Sequence, residues 1–134
     1  MQREDRPRQR VLIVDDEEST RLLLARLLHS ELQIESQLAG TCEQALHLAR
    51  SSVYDAILLD LMMPGIGGLP VQQLIRGGSL NTTTPVIVVS IVADRVVIDE
   101  CMKAGANAYH VKPVRRDELV ATVRTQLARA KTRN

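Results

Sequence analysis

The sequence predicts an α/β protein with a doubly wound parallel sheet, and three observations support this prediction. Short apolar runs, such as VLIV and ILL, have the composition of strands that are covered on both faces. Segments with apolar residues at helical spacing alternate with these runs. Each strand and its helix take roughly 25 residues, so the 134 residues accommodate five such units in one domain.

The first half of the chain supplies three predicted strands, at residues 10–14, 34–38 and 56–60. Leucines at i+4 spacing predict a first helix over about residues 19–30, and acidic residues at its start suit the helix dipole. The capping-box pattern Thr41-Cys42-Glu43-Gln44 starts a second helix that runs to about Arg50. Residues 1–9 are polar and are expected to form a disordered arm.

In the second half, the segment MMPGIGG is a loop, because Pro64 and three glycines break regular structure. Two further strands are predicted at residues 85–90 and 108–112. Helices are predicted over about residues 69–76, 94–103 and 115–130, the first closed by Gly77-Gly78 and the second stopped by Gly105. Residues 131–134 are interpreted as a tail or the start of a linker.

Composition excludes several classes of protein. The formal net charge is +1, so overall charge does not point to a nucleic acid or an anionic membrane. No apolar run approaches the roughly 18 residues that a membrane span needs, and the charged N-terminus does not resemble a signal peptide. A cytoplasmic location is therefore expected. Cys42 and Cys101 lie outside any metal-binding pattern and are interpreted as reduced thiols packed in helices.

Polar side chains follow four of the predicted strands. For five parallel units the natural strand order is the flavodoxin-like order 2-1-3-4-5, in which ligands bind at the carboxyl ends near strands one and three. Those ends carry a set of acids, a hydroxyl and an amine: Asp15, Asp16, Asp60, Ser90 and Lys112. Each alone could be a solvated loop residue, a helix cap or a surface lysine, but the fold would gather all five in one pocket.

Such a cluster needs positive charge. Two carboxylates about 5 Å apart repel by roughly 3 kcal/mol at an effective dielectric constant of about 20. Lys112 supplies one positive charge, and a hard cation such as Mg²⁺ or Mn²⁺ would supply the rest, together with water and a phosphate oxygen. Because function would hold like charges together here, Asp16→Asn is expected to stabilise the metal-free fold while abolishing the function of the site.

Four segments of the chain resemble the response-regulator receiver domain of two-component signalling, the CheY-like family. They are VLIVDDEES, ILLDLMMPGIGG, PVIVVS and GANAYHVKP, and the resemblance spans about residues 10–130. The resemblance implies a signalling switch rather than an enzyme with independent turnover. A histidine kinase or a histidine phosphotransfer protein would donate a phosphoryl group in a Mg²⁺-dependent reaction.

The resemblance also implies individual roles. Asp60 would be the phosphoacceptor, and Asp16 would bind the metal directly. Asp15 would bind the metal largely through water, while Asp60 and the backbone carbonyl of Met62 would complete the protein ligands. Ser90 and Lys112 would hold phosphoryl oxygens. The remaining family features are an aromatic switch at Tyr109, coupled to Ser90, and a cis bond between Lys112 and Pro113.

Three departures from the family pattern matter. Ile91 stands where the family usually has a small residue, and its branched side chain is expected to narrow access to Asp60. Gly67 stands where many members have Asp, which removes no ligand. Met62 and Val92 are both apolar at positions that tune the attack of water on the acyl phosphate, so slow autodephosphorylation is expected.

Two other functions stay open from the sequence. One is an unphosphorylated interaction module of the same fold. Such modules usually lack the acids or the lysine, which are all present here, but the unusual Ile91 keeps this alternative open. The other is an aspartyl-nucleophile phosphatase, which would want a second Asp where Met62 stands. The three histidines lack ligand spacing, so the phosphoryl donor is expected to be another protein. The expected output surface is the fourth helix, fifth strand and fifth helix, which could pair with a second copy, an effector domain or another protein.

Overall fold

A computed structural model of the chain describes residues 9–132. Its five strands are β1 (Arg10–Val14), β2 (Glu35–Ala39), β3 (Ala56–Leu59), β4 (Val86–Ser90) and β5 (Ala108–Val111). Its five helices are α1 (Glu18–Leu32), α2 (Cys42–Ser51), α3 (Gly68–Gly78), α4 (Arg95–Lys103) and α5 (Arg116–Thr132). Within this part of the chain, no helix combines the length and apolar character needed to cross a membrane.

The strands form one parallel sheet in the order β2-β1-β3-β4-β5, as the sequence predicts. Val14 of β1 lies opposite Leu59 of β3, and Leu59 lies opposite Val88 of β4. At the far edge, Ser90 lies opposite Val111. The strands therefore end close to level with one another, and the residues that follow them emerge at the same edge of the sheet.

Alternate residues along each strand pack into two separate cores. In β1, Leu12 and Val14 face one core, which α2, α3 and α4 cover. Val11 and Ile13 face the other core, which α1 and α5 cover. This period of two explains why the strands read as continuous apolar runs, since both faces of the sheet are buried. With aromatic residues at 1% of the chain, both cores consist mainly of aliphatic side chains.

The helices differ from the predicted bounds mainly at their ends. Helix α1 is longer than predicted and ends at Leu32, with Gln33 in the left-handed conformation. Helix α3 includes Gly77 and Gly78 and ends before an extended Ser79, so the two glycines do not form the expected cap. Helix α5 continues to Thr132, into the predicted tail. Gln9 belongs to no helix or strand, and the predicted arm at 1–8 and residues 133–134 lie outside the described residues.

Several local predictions hold. Thr41 caps α2 by accepting a hydrogen bond from the Gln44 amide. Gly105 follows α4 with φ of +107°, a conformation that favours glycine. Cys42 and Cys101 are both free and buried in helices, as expected for reduced thiols. Ser90 does not cap the following helix, because the side chain of Asp94 accepts the Val96 amide instead.

Candidate functional site

The ends of β1 and β3 place two aspartates side by side. Asp15 follows Val14, and Asp60 follows Leu59, which is the register partner of Val14. The Asp60 amide donates to the Val14 carbonyl at 2.9 Å, which continues the ladder one residue past the strand. Both residues are almost fully buried, with relative exposures of 1% for Asp15 and 4% for Asp60.

Asp16 completes a group of three carboxylates. Oxygens of Asp15, Asp16 and Asp60 lie within 4.8 Å of one another, and Asp16 is the exposed member. Asp15 and Asp60 are buried and form the floor of the site, whereas the exposed Asp16 lies at its rim. The structure thus brings together the three acids that the sequence singles out.

Lys112 lies between the two buried acids. Its Nζ donates to Asp15 Oδ2 at 2.7 Å and to Asp60 Oδ2 at 3.3 Å. The Lys112 side chain is only 16% exposed. Its position follows from the sheet: the Lys112 amide donates to the Ser90 carbonyl at 2.8 Å, just past the end of β5. The peptide bond between Lys112 and Pro113 is cis, as the family resemblance implies.

Burial and charge act in opposite directions on these groups. Burial raises the pKa of Asp60 above its ordinary value, and this outweighs the lowering by the Met62 amide and by Lys112. Burial by itself would lower the pKa of Lys112, but Asp15 and Asp60 outweigh it and hold that pKa above its ordinary value. Lys112 is therefore a charged ammonium at neutral pH. Ionisation of Asp60 costs free energy in the folded protein, because its carboxylate is buried.

Backbone amides fix the orientation of both buried carboxylates. The Glu17 amide donates to Asp15 Oδ1 at 2.9 Å, and the Met62 amide donates to Asp60 Oδ1 at 3.0 Å. Each carboxylate thus has one oxygen bonded to a backbone amide and the other to Lys112. This arrangement aims the acids before any ligand arrives.

The backbone of Val92 connects Ser90 to Tyr109. Ser90 is fully buried, and its Oγ accepts the Val92 amide at 3.2 Å. The hydroxyl of the half-buried Tyr109 donates to the Val92 carbonyl at 2.5 Å. Burial raises the pKa of Tyr109, so its hydroxyl stays protonated and remains a donor. A shift of the Val92 backbone would therefore change the hydrogen bonds of both Ser90 and Tyr109.

The donor set fits a hard divalent cation. Three carboxylates offer oxygen ligands, which Mg²⁺ and Mn²⁺ prefer, and the exposed Asp16 leaves room for water on one side. The single ammonium of Lys112 does not neutralise three acids. The backbone of Met62 lies beside the cluster, because its amide donates to Asp60 Oδ1. Met62 as a whole residue is 55% exposed.

The structure also shows the surroundings of Ile91 and of the three histidines. Ile91 directly follows Ser90 at the end of β4, and this residue is 64% exposed. His29 and His47 are exposed, whereas His110 is half-buried and bonded to the Thr122 hydroxyl at 2.9 Å. Burial lowers the pKa of His110.

Two residues near the site were not singled out from the sequence. Arg21 donates from Nη1 to the backbone carbonyl of Asp15 at 2.7 Å. Gly68, at the start of α3, lies against the backbone of Asp60 and Leu61. The only sequence signals were an arginine in the first turns of a helix and one of several loop glycines, and neither identifies a contact.

The sequence matches the model of the response regulator receiver domain family over residues 11–124. The chain belongs to this family. Among its curated relatives, the DNA-binding response regulator MtrA of Mycolicibacterium smegmatis is 36% identical over 125 residues. That match covers 93% of this chain and 53% of MtrA, so the chain spans about half the length of this relative.

Solved receiver domains share the fold. The receiver domain of the Francisella response regulator 1452 is 30% identical, with a TM-score of 0.82, over 90% of this chain and 98% of that one. The receiver domain of the Pseudomonas aeruginosa sensor histidine kinase PA1611 is 27% identical, with a TM-score of 0.80, over 91% and 99% of the two chains. That second structure contains a magnesium ion coordinated in its active-site cleft.

The charge arrangement makes a prediction about the metal-free receiver domain. Asp60→Asn is expected to stabilise it at pH 7 by about 1 kcal/mol, and the exposed Asp16→Asn by less. Because the pKa of folded Asp60 is raised, the parent loses stability as pH rises from the unfolded pKa through the folded one. The gain in stability from Asp60→Asn should therefore be complete at a pH above the pKa of Asp60 in the folded protein. It should vanish at acid pH, where Asp60 of the parent is protonated.

Thermal melts of the parent and both variants in chelator, from pH 4 to pH 8, measure this effect. Added Mg²⁺ should raise the melting temperature of the parent more than that of Asp60→Asn. An Asp60→Asn variant that melts below the parent at pH 7 would show that repulsion and burial do not dominate the energetics of the metal-free site.

Proposed function

We propose that this receiver domain, about residues 10–130, is a switch that accepts a phosphoryl group on Asp60 in a Mg²⁺-dependent reaction. The observation that carries the proposal is the placement of Lys112 between Asp15 and Asp60, with Asp16 at the rim. An ammonium fixed against a buried carboxylate is suited to an incoming anionic group. The protein would act as a phosphoacceptor, without independent substrate turnover.

In the proposed reaction, a carboxylate oxygen of Asp60 attacks phosphorus in line with the bond to the donor. The new bond makes an acyl phosphate as the bond to the donor nitrogen breaks. Lys112 donates to one phosphoryl oxygen, and the Ser90 hydroxyl, whose Oγ already accepts the Val92 amide, donates to another. Bound Mg²⁺ would supply positive charge, held by Asp15, Asp16, Asp60 and the Met62 carbonyl.

Ser90 and Tyr109 are proposed to report phosphorylation to the output surface. When Ser90 turns towards a phosphoryl oxygen, its bond to the Val92 amide weakens. The Val92 carbonyl then shifts relative to the Tyr109 hydroxyl, which frees the ring to turn inward. Two packings of α4, β5 and α5 would thus have different populations before and after phosphorylation.

The proposed donor is a histidine kinase or a histidine phosphotransfer protein, and the proposed location is the cytoplasm. The surface of α4, β5 and α5 would pair with a second copy, an attached effector domain or another protein. With a net charge of +1, this domain is not expected to bind nucleic acid or a membrane itself. An unphosphorylated interaction module of this fold would have no need of the buried Lys112 bridge.

Acetyl phosphate tests the proposal directly. Incubation with Mg²⁺ should raise the intact mass of the parent by one phosphoryl group, and incubation with chelator should not. Asp60→Ala should take up nothing under either condition. Labelling of Asp60→Ala at the rate of the parent would refute Asp60 as the acceptor, and continued release of inorganic phosphate from small phosphate esters would favour the phosphatase alternative.

The acyl phosphate is expected to be long-lived. Met62 is 55% exposed and Val92 is half-buried, so neither apolar side chain would orient a water molecule for attack on phosphorus. We expect a half-life of minutes or longer in Mg²⁺, and a shorter one in Met62→Asn, whose amide can hold a water. The decay of the phosphorylated mass after removal of acetyl phosphate measures it, and a parent half-life of seconds would contradict the expectation.

A further inference from the structure

We propose that Arg21 is a positioning residue of the acidic site. By this inference it fixes the peptide group between Asp15 and Asp16, and so aims the Asp16 carboxylate at the metal. The inference rests on the proposed function, because it assigns a role in Mg²⁺ binding at that site. It concerns a residue of α1 that need not touch the metal, the phosphoryl group or the reacting carboxylate.

The contact that supports the inference is short. Arg21 Nη1 donates to the backbone carbonyl of Asp15 at 2.7 Å. This carbonyl belongs to the peptide group that also contains the amide nitrogen of Asp16. Because a peptide group is planar, fixing its oxygen also fixes the direction from which the Asp16 Cα leaves the end of β1.

Asp16 depends on its backbone more than Asp15 does. The side chain of Asp15 is held at both oxygens, by the Glu17 amide and by Lys112. The Asp15 amide is also held, by the Ala39 carbonyl at 3.1 Å. The Asp16 side chain is exposed, and within residues 9–132 no hydrogen bond or ion pair holds its carboxylate. Its place in the cluster is therefore set by the peptide that Arg21 holds.

Gly40 gives a second, independent observation. A Cβ at Gly40 would lie 2.8 Å from Arg21 Nη1 and 3.2 Å from Arg21 Cζ. The absence of a side chain at Gly40 therefore leaves the space that the guanidinium occupies. An alanine there meets only the far end of a flexible side chain, so it displaces the guanidinium with little strain in the backbone.

Positioning and simple charge predict opposite results for Mg²⁺ affinity. If Arg21 were only a nearby positive charge, its removal would strengthen the binding of a cation. If Arg21 positions the Asp15–Asp16 peptide, its removal weakens binding. Gly40→Ala separates the two further, because it keeps the charge and moves only the guanidinium. Arg21→Lys keeps the charge but lacks the planar fork, and is expected to restore only part of the affinity.

The experiment is a Mg²⁺ titration of the whole chain followed by backbone amide signals in NMR, with the nitrogen-15 relaxation of the Asp16 amide measured in metal-free protein. We expect about tenfold weaker Mg²⁺ binding in Arg21→Met and in Gly40→Ala, the loss usual for residues that orient metal ligands. The Asp16 amide should show more fast backbone motion in both variants than in the parent. Two controls, Arg26→Met on the same helix and Gly77→Ala with open space around its Cβ, should bind within twofold of the parent.

The outcomes separate this inference from the function beneath it. A parent that binds Mg²⁺, with Gly40→Ala and Arg21→Met at the affinity of the parent or tighter, overturns the role of Arg21 alone. A parent that binds no Mg²⁺ overturns the proposed metal-dependent function, and the inference with it. If Arg21→Met does not fold, Gly40→Ala decides the question by itself, since its circular dichroism melt should stay close to that of the parent.

Discussion

Lys112→Met is expected to slow phosphoryl uptake from acetyl phosphate by about 100-fold or more. It should also destabilise the metal-free receiver domain by about 3 kcal/mol at neutral pH. The reason is that Lys112 Nζ is the cation that bridges Asp15 and Asp60, whose side chains are 2% and 5% exposed. Without it, two buried carboxylates face each other with no positive charge between them.

Urea denaturation in chelator measures the loss of stability, and intact mass against time measures the loss of rate. The destabilisation should shrink at acid pH, because the raised pKa of Asp60 favours its protonation there, and Mg²⁺ should recover part of it. Lys103→Met is the matched control, because Lys103 is exposed in the last turn of α4. Equal unfolding free energies for Lys112→Met and the control would mean that the bridge contributes nothing to the fold.

Gly68→Ala is expected to destabilise the domain by about 2–3 kcal/mol and to slow phosphoryl uptake sharply. A Cβ at Gly68 would lie 2.5 Å from Leu61 Cα and would also clash with the Asp60 carbonyl oxygen. Both neighbours are backbone atoms, so the junction between β3 and α3 must move to relieve the contact. Movement there displaces Asp60, and small displacements of reacting groups are costly to rate.

Chemical denaturation followed by circular dichroism measures the stability of Gly68→Ala. Gly77→Ala serves as the control, since no atom lies within 4 Å of its Cβ and alanine is the better helix former. The control should match the parent or exceed it slightly in stability. A Gly68→Ala domain as stable and as reactive as the control would show that the close approach at the end of β3 is not required.

The elements that the sequence predicts well are those with local signals. β1, β3 and β4 are apolar on both faces, so their positions could be identified without knowledge of the fold. Because these strands are parallel, the residues at their carboxyl ends lie at one edge of the sheet. The grouping of Asp15, Asp60 and Ser90 could therefore be predicted from the sequence. Helix ends were predicted less well, as at Gly77-Gly78, where α3 continues through both glycines and ends before an extended Ser79.

The features that the sequence does not reveal depend on contacts between distant parts of the chain. Asp15 and Asp16 are identical in type, yet one is buried and one exposed, because they follow one another out of a pleated strand. The contact of Arg21 with Asp15 depends on how α1 packs against the sheet, and Gly40 takes part only through that packing. Gly68 looks like a loop glycine until the backbone of Asp60 is placed beside it.

The identity of the phosphorylated residue tests the central claim most directly. Receiver domain treated with acetyl phosphate and Mg²⁺ can be reduced with borohydride, which converts an acyl phosphate of aspartate to homoserine, and then mapped by peptide mass spectrometry. We expect homoserine at residue 60 and none at residues 15 and 16. Homoserine at Asp15 or Asp16, or a phosphoryl group retained on a histidine, would contradict the assignment of Asp60 as the acceptor.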